Sequence, residues 1–310
     1  MGCDRAAARA GGHRMRIIEP IAITDAMLLA SNVPETDAPA WDAGASYAVN
    51  DQVIRTHAIY KAVAASTGQD PLADTTSTFW VRLGATNRWR AFDRLISDPV
   101  TQEGDITYSL RPDMLSDAIA FFGLNAASIR VVVTDPVDGV IYDQTRILID
   151  GSAVFDWWSY FFEPITYADQ EIVTGVPIYT GVQVDITLAS GGTTKVGQIV
   201  LGRAQVIGET LVDTEIGIDD FSVKERDAFG NFSIVERAYS DTTRFRFSFP
   251  TGDARRIRKI LARVRAIPAV YYAGDETGHL GTTVYGFFQD FSIPLTTNVS
   301  FGSLEVEGLT

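Results

Sequence analysis

The stretch "TRFRFSF" at residues 243–249 alternates without a break, with Phe245, Phe247 and Phe249 on one side of an extended chain and Arg244, Arg246 and Ser248 on the other. Side chains two apart share a face only in a strand, so this period cannot be met by a helix. The same pattern recurs in "VQVDITL", where Val182, Val184, Ile186 and Leu188 alternate with Gln183, Asp185 and Thr187, and in "SLEVEGL", where Leu304 and Val306 alternate with Glu305 and Glu307. "SIRVVVTD", "GVIYDQTRIL", "TKVGQIVLG", "PAVYYAG" and "TTVYGFFQDFSIPL" supply further short apolar runs, and turn formers such as "ASGGTTK" punctuate them. Many short strands at close spacing predict a mainly β, multidomain chain built around a β-sandwich or jelly roll.

One segment departs from this period. In "TGDARRIRKILARVRAIP" the residues Ile257, Ile260, Leu261 and Val264 fall at helical spacing, which predicts a helix over residues 253–266. Thr251 or Asp253 is expected to cap its start, and Pro268 to end it. Its polar face carries Arg255, Arg256, Arg258, Lys259, Arg263 and Arg265 out of 26 basic residues in the whole chain. A solvated face is the ordinary explanation of such a run. In a chain of formal charge -13 the same stripe can instead meet acidic surface on a neighbouring subunit, which makes these six residues candidates for a subunit contact.

That negative charge also argues against a nucleic-acid partner, because a protein that tracks phosphates needs clustered cations over most of its binding face. Cys3 is the single cysteine, so the fold is expected to stand without an intrachain disulfide. No run of about 18 apolar residues occurs, and the start of the chain lacks the apolar stretch of a signal peptide, so neither membrane insertion nor secretion by that route is expected. Residues 1–14 read as an extension, upstream of the natural start or simply a loose terminus. An ordered apolar segment begins at Met15, and "SNVPETDAPA" reads as a linker by its Pro, Asp and Ala content.

Beyond the linker, residues 41–85 form a miniature module: apolar bursts (Tyr47 and Val49, Val53 and Ile54, Ile59 and Tyr60) separated by Asn50, Asp51 and Gly68. Trp41 and Trp80 bracket two or three short strands. The series "W-x-x-G-x-x-Y-x-x-x-D-x-V", "IYKAV" and "FWVRLG" resembles the small chitin-binding type of carbohydrate-binding module found on chitinases and in phage tail proteins. The resemblance implies that the flanking aromatics are core and that sugar stacking falls to exposed aromatics after the "Y-x-A-x" strand. Val63, Ala64, Ala65 and Ser66 stand there instead, and none of them offers an aromatic face. Tyr47, Tyr60 and Trp80 are then the remaining carbohydrate-binding candidates, each competing with a packing role.

"NRWRAFD" reads as a joint between the module and the strand-rich region beyond it. "FDWWSYFFEPITY" is the densest aromatic cluster; Trp157, Trp158 and Tyr160 read as sandwich core or an inter-domain plug, with a sugar-stacking platform as the alternative. The expected domains are an extension and linker (1–40), the module (41–85), a β-sandwich (86–207) and a β-rich domain with the helix (208–310). The stretch from "GQIVLGRAQVIGETLVDTEIG" through "DDFSVKERDAFGNFSIVERAYS", with "SFGSLEVEGL", resembles phage and prophage tail or baseplate proteins, as does "NRWRAFD" after a carbohydrate-binding-like module.

Catalytic motifs are missing. His13, His57 and His279 lie near no cysteine and in no "HExxH", so no histidine metal site is expected; "GxSxG" and a phosphate loop are also missing. Asp219 and Asp220 are adjacent on a strand and point to opposite faces, and "DPVDG" reads as a turn, so neither makes a carboxylate pair or a calcium loop. The expectation is a non-enzymatic structural protein of a phage tail tip or baseplate, without cofactor. It would be assembled in the host cytoplasm into the virion as a homo-oligomer, with other tail proteins as partners and a host-surface glycan as a further ligand. The alternative is a polysaccharide-binding protein or an accessory of a glycoside hydrolase.

Overall fold

A computed structural model describes residues 13–150, 156–162, 166–226, 229–230, 232–274, 281–294 and 296–309. The chain is mainly β, in several sheets, and forms two compact units: Ala22–Val200, and the segments on either side of it, up to Ile21 and from Leu201 onward. The extension expected over residues 1–14 lies outside the described residues except for its last two, and Arg14 already opens a strand, Arg14–Pro20. Cys3 and His279 also lie outside them.

In the flanking unit the Arg14–Pro20 strand runs antiparallel between Gln198–Thr210 and Ala269–Gly274, with Met15, Ile17 and Ile18 fully buried. Val284–Ser292, Val299–Gly308 and Tyr239–Pro250 come next in order, each antiparallel to the last. Two further pairs, Glu209 with Ser248 and Thr210 with Phe247, bring the sixth strand back to the first, so the six strands close on themselves. Closure removes the open sheet edges that would otherwise recruit other chains. Gly286 sits where a neighbouring strand passes closely: a Cβ there would run into the carbonyl oxygen of Glu307.

The alternation at residues 243–249 sorts as its period requires. Phe245, Phe247 and Phe249 are buried in one core with Ile257, Ile260, Leu261 and Val264, the apolar stripe of the Ala254–Val264 helix. Burying side chains of this size stabilises by about 1.5–3 kcal/mol each. The helix start differs from expectation, because neither candidate caps it through its side chain. A 3-10 turn at Thr251–Asp253 leads in, the Thr251 hydroxyl is engaged with Ser300 at 2.9 Å, and the Asp253 carboxylate lies 3.6 Å from Arg256. The first six residues of Tyr239–Pro250 pair with Glu215–Asp220, and the two strands run on as a two-stranded ribbon, Val223–Arg226 against Phe232–Val235.

The Ala22–Val200 unit is organised by a five-stranded antiparallel sheet, ordered Gly139–Ile147, Ser128–Asp135, Gln183–Ala189, Ile106–Leu110, Leu28–Ser31. Its register lines up rows of inward side chains, Val131 with Ile186 and Tyr108, and Val133 with Val184 and Leu110. All of these are buried, as the alternation in "VQVDITL" predicts. Ser116–Phe122 pairs with Gln170–Ile178, and Val100–Glu103 with Thr193–Val196. The module is a three-stranded sheet, Gln52–Arg55, Ala58–Ala62 and Trp80–Ala85, with a short pair at Ser46–Tyr47 and Ser66–Thr67. A 3-10 helix, Asn87–Phe92, comes directly after it and buries Trp89.

Candidate functional site

The module's core is small: Val53, Ala62 and Trp80, with Trp41, Tyr47, Tyr60 and Phe79 packed around them. Trp80 is 1 % exposed, its indole N–H donates to the Gln69 carbonyl at 2.9 Å, and Tyr47 meets its ring edge-on at 5.2 Å. This corrects the place of Trp80 among the carbohydrate-binding candidates, since a ring with no open face cannot stack on a sugar. Tyr47 is committed as well, its hydroxyl accepting from the Asp42 backbone N–H at 2.7 Å, and Tyr60 is half-buried against the same core. Val63, which stands where a stacking aromatic is expected, is exposed.

Polar contacts hold the module where apolar area is short. Asp74 accepts from the backbone N–H groups of Thr78, Phe79 and Trp80 at 3.0, 2.6 and 2.8 Å and from the Thr76 hydroxyl. The Phe79 and Trp80 bonds lead in favouring its ionised form and hold its pKa at about 2. Arg55 forks onto Asp70 at 3.2 and 2.8 Å and lies over the Trp41 ring at 4.9 Å.

A second cluster joins the module to its flanks. His57, at φ 61° in the turn between two module strands, stacks on Trp89 at 4.4 Å. Its Nδ1 is 2.8 Å from Glu35, and its Nε2 is 3.2 Å from Asp25. Glu35 also accepts from the Thr86 hydroxyl at 2.8 Å, while Arg88 donates to the Val33 carbonyl. The linker residues "SNVPETDAPA" are therefore fastened to the joint by their acids, Glu35 to His57 and Asp37 to the Asn87 backbone N–H. Nothing in the sequence marks this cluster, because its members are scattered over residues 25–89 with no motif spacing. Both ring nitrogens of His57 face carboxylates, an arrangement that can clamp the module to its flanks. Farther along the joint, desolvation raises the Asp93 carboxyl to about 6, and one of its oxygens is buried without a hydrogen-bond partner.

The expected carboxylate roles resolve as turn and ribbon chemistry. Asp135 of "DPVDG" accepts from the backbone N–H groups of Val137 and Asp138. Asp220 is held to Lys224 at 2.6 Å, which together with Ser222 keeps its carboxyl well below the usual range. Among the described residues no group of three or more His, Cys, Asp or Glu side chains could hold a metal ion, and no helix is long and apolar enough to cross a membrane.

The aromatic cluster at "WWSYFF" overturns its core assignment. It is a six-residue helix, Trp157–Phe162, with Trp157 79 % and Trp158 71 % exposed, each ring paired with the phenyl ring four residues on. The side chain of Tyr160 lies outside the described ones. A helix apolar on every side cannot bury all its rings against one surface, so composition alone gives no inward face.

Six cations on the Ala254–Val264 helix and its C-terminal neighbour divide into two sets. Arg263 forks onto Glu19 at 2.8 Å, Arg256 donates to the Val206 carbonyl at 2.9 Å, and Arg265 donates to the Ala262 carbonyl at the helix's own end. Arg255, Arg258 and Lys259 are exposed and make no ion pair among the described residues. Arg255, Arg256, Lys259 and Arg263 line an open groove of about 520 Å³ together with Gln205, Gly252 and Ile260.

The ribbon is the other exposed feature, and no periodicity in the sequence singles it out. Ile216, Ile218, Phe221, Phe229, Phe232, Ile234, Val235 and Tyr239 are all exposed along it, Phe229 to 92 %. Single exposed apolar residues are ordinary, but eight close together in sequence are not. Compared with protein-family models, with curated proteins and with solved structures, the chain matches none.

Proposed function

We propose that the chain is a non-enzymatic structural component of a bacteriophage tail tip or baseplate, working in several copies within the virion. The observation that carries this reading is the ribbon. The stretch of sequence that resembles tail and baseplate proteins contains it, and its eight exposed apolar side chains are unsuited to a protein that works alone in water. A two-stranded ribbon is marginally stable by itself, which favours a role in which neighbours cover it. Asp135, Asp74 and His57 are engaged in a turn, in backbone bonds and with carboxylates respectively, which supports a structural rather than a catalytic use of these groups.

Contact with a host glycan, within this reading, belongs to Trp157 and Trp158, which are largely exposed, rather than to Trp80. Insoluble chitin should fail to retain the chain through its module, and retention that persists after Trp157→Ala with Trp158→Ala would reverse that assignment. The test of the main reading is mass spectrometry of tail particles purified from the phage or prophage that encodes the chain. It should appear there in several copies per particle; particles complete without it overturn the reading.

A further inference from the structure

The ribbon and the basic groove belong to the same compact unit and have matching chemistry. Opposed residues of an antiparallel pair share a face, so the register places Val223, Glu225, Ser233 and Val235 on one face of the ribbon and Lys224, Arg226, Phe232 and Ile234 on the other. The second face is internally settled: the Arg226 guanidinium lies over the Phe232 ring at 4.3 Å, and Lys224 holds Asp220. The first face carries one carboxylate, Glu225 opposite Ser233, beside the Val223–Val235 pair, and no cation within these two strands. Glu225 makes no ion pair among the described residues. Between Asp219 and Arg237 the chain holds five acidic residues and three basic ones, whereas Ala254–Val264 with Arg265 holds six basic and none acidic.

We infer that the ribbon of one copy docks in the basic groove of a second copy of this chain, with Glu225 between Arg255 and Lys259. Val223 and Val235 lie over the aliphatic stems of those cations, which lets apolar and charged contacts form together. The occupant is another copy because the net charge of -13 leaves this stripe as the concentrated positive surface, and the ribbon supplies the missing anion with apolar flanks. Each copy offers one ribbon and one groove, so the contact is head-to-tail, and a rotation that closes gives a ring. A face of this size is weak as a single contact, and ring closure raises its strength because every copy is held twice.

This inference rests on the multi-copy reading proposed for the chain, and sedimentation of the purified full chain separates the two. Glu225→Lys should weaken self-association at least about tenfold, and so should Arg255→Glu with Lys259→Glu, while the chain carrying all three exchanges should recover to within about threefold of the original. Circular dichroism spectra and melting curves of each variant establish that these exposed exchanges leave the fold intact, and Glu225→Gln supplies a milder second variant with the same direction of effect. Raised salt should weaken the original contact. Association that survives every exchange, or loss that the triple exchange does not repair, overturns the ribbon-to-groove contact while leaving membership of the particle standing. A chain that stays monomeric at all concentrations overturns the contact directly.

Discussion

The module at residues 41–85 and the ribbon beyond Glu215 are both small β structures, and they solve the problem of size in opposite ways. The module has a small apolar interior, yet its central ring, Trp80, is sealed, and the loop before it is tied down by a single carboxylate that accepts four hydrogen bonds. The ribbon has more apolar side chains than the module's core and leaves eight of them open to solvent. Apolar content therefore does not decide which segment is self-sufficient; closure of polar and apolar contacts within the segment does. A segment that leaves its apolar surface open retains area that another surface can bury.

The contrast is sharpest between the sealed and the exposed aromatics. Trp80→Ala should cost about 3–5 kcal/mol in urea unfolding, because it removes most of the module's core and leaves Tyr47 and Phe79 without a partner. A cost below about 1 kcal/mol would mean that the module is not organised around that ring. Asp74 should come next. Its carboxyl is depressed in the folded chain, so its contribution is complete above about pH 4, where the unfolded chain's aspartates are ionised, and is lost as pH falls toward about 2. Asp74→Asn, which puts an amide where backbone N–H groups point, should lower the melting temperature at pH 7 and flatten the melting curve's dependence on pH between 4 and 2. An unchanged acid limb would remove Asp74 from its role.

Arg263→Gln should be smaller, about 0.2–1 kcal/mol, since the fork onto Glu19 is mostly in solvent, and added salt should shrink the difference further. The smallest effect on stability belongs to the ribbon. Phe229→Ser together with Phe232→Ser should change unfolding free energy by no more than about 0.5 kcal/mol while reducing the binding of an apolar dye. A large loss of stability from that pair would make the ribbon self-packed and erase its difference from the module.

Much of this architecture is legible wherever period and burial coincide. Phe245, Phe247 and Phe249, and Ile257 with Ile260, Leu261 and Val264, lie in one core as their spacing requires, and Trp41 and Trp80 bracket the module. The parts hidden from the sequence depend on meetings across the chain. Two residue pairs, Glu209 with Ser248 and Thr210 with Phe247, turn a row of strands into a closed one, and nothing local in either strand announces the pairing. Glu35 looks like a solvated linker acid until His57 and Thr86 arrive beside it. "WWSYFF" shows the converse limit, because aromatic composition is the same for a buried plug and an exposed helix. The basic stripe is visible as a stripe, but its division into occupied and open cations depends on Glu19 and on the Val206 carbonyl, far away in sequence.

The Arg14–Pro20 strand imposes a schedule on the ribosome. It is made before the Ala22–Val200 unit, yet both of its neighbours, Gln198–Thr210 and Ala269–Gly274, are made after nearly the whole of that unit. At a synthesis rate of roughly 5–20 residues per second it waits about 10–40 s for its first neighbour. Meanwhile Met15, Ile17 and Ile18 hang from the nascent chain as a short sticky peptide. The intervening unit can fold during that wait. Its ends lead back to adjacent backbone, where the Ile21 amide meets the Leu201 carbonyl at 2.8 Å, so the delayed strand is delivered beside its place when translation reaches it. Fast overexpression shortens the wait but crowds many such peptides together, and a holdase that grips short apolar stretches should raise the yield of native chain more than cooling does.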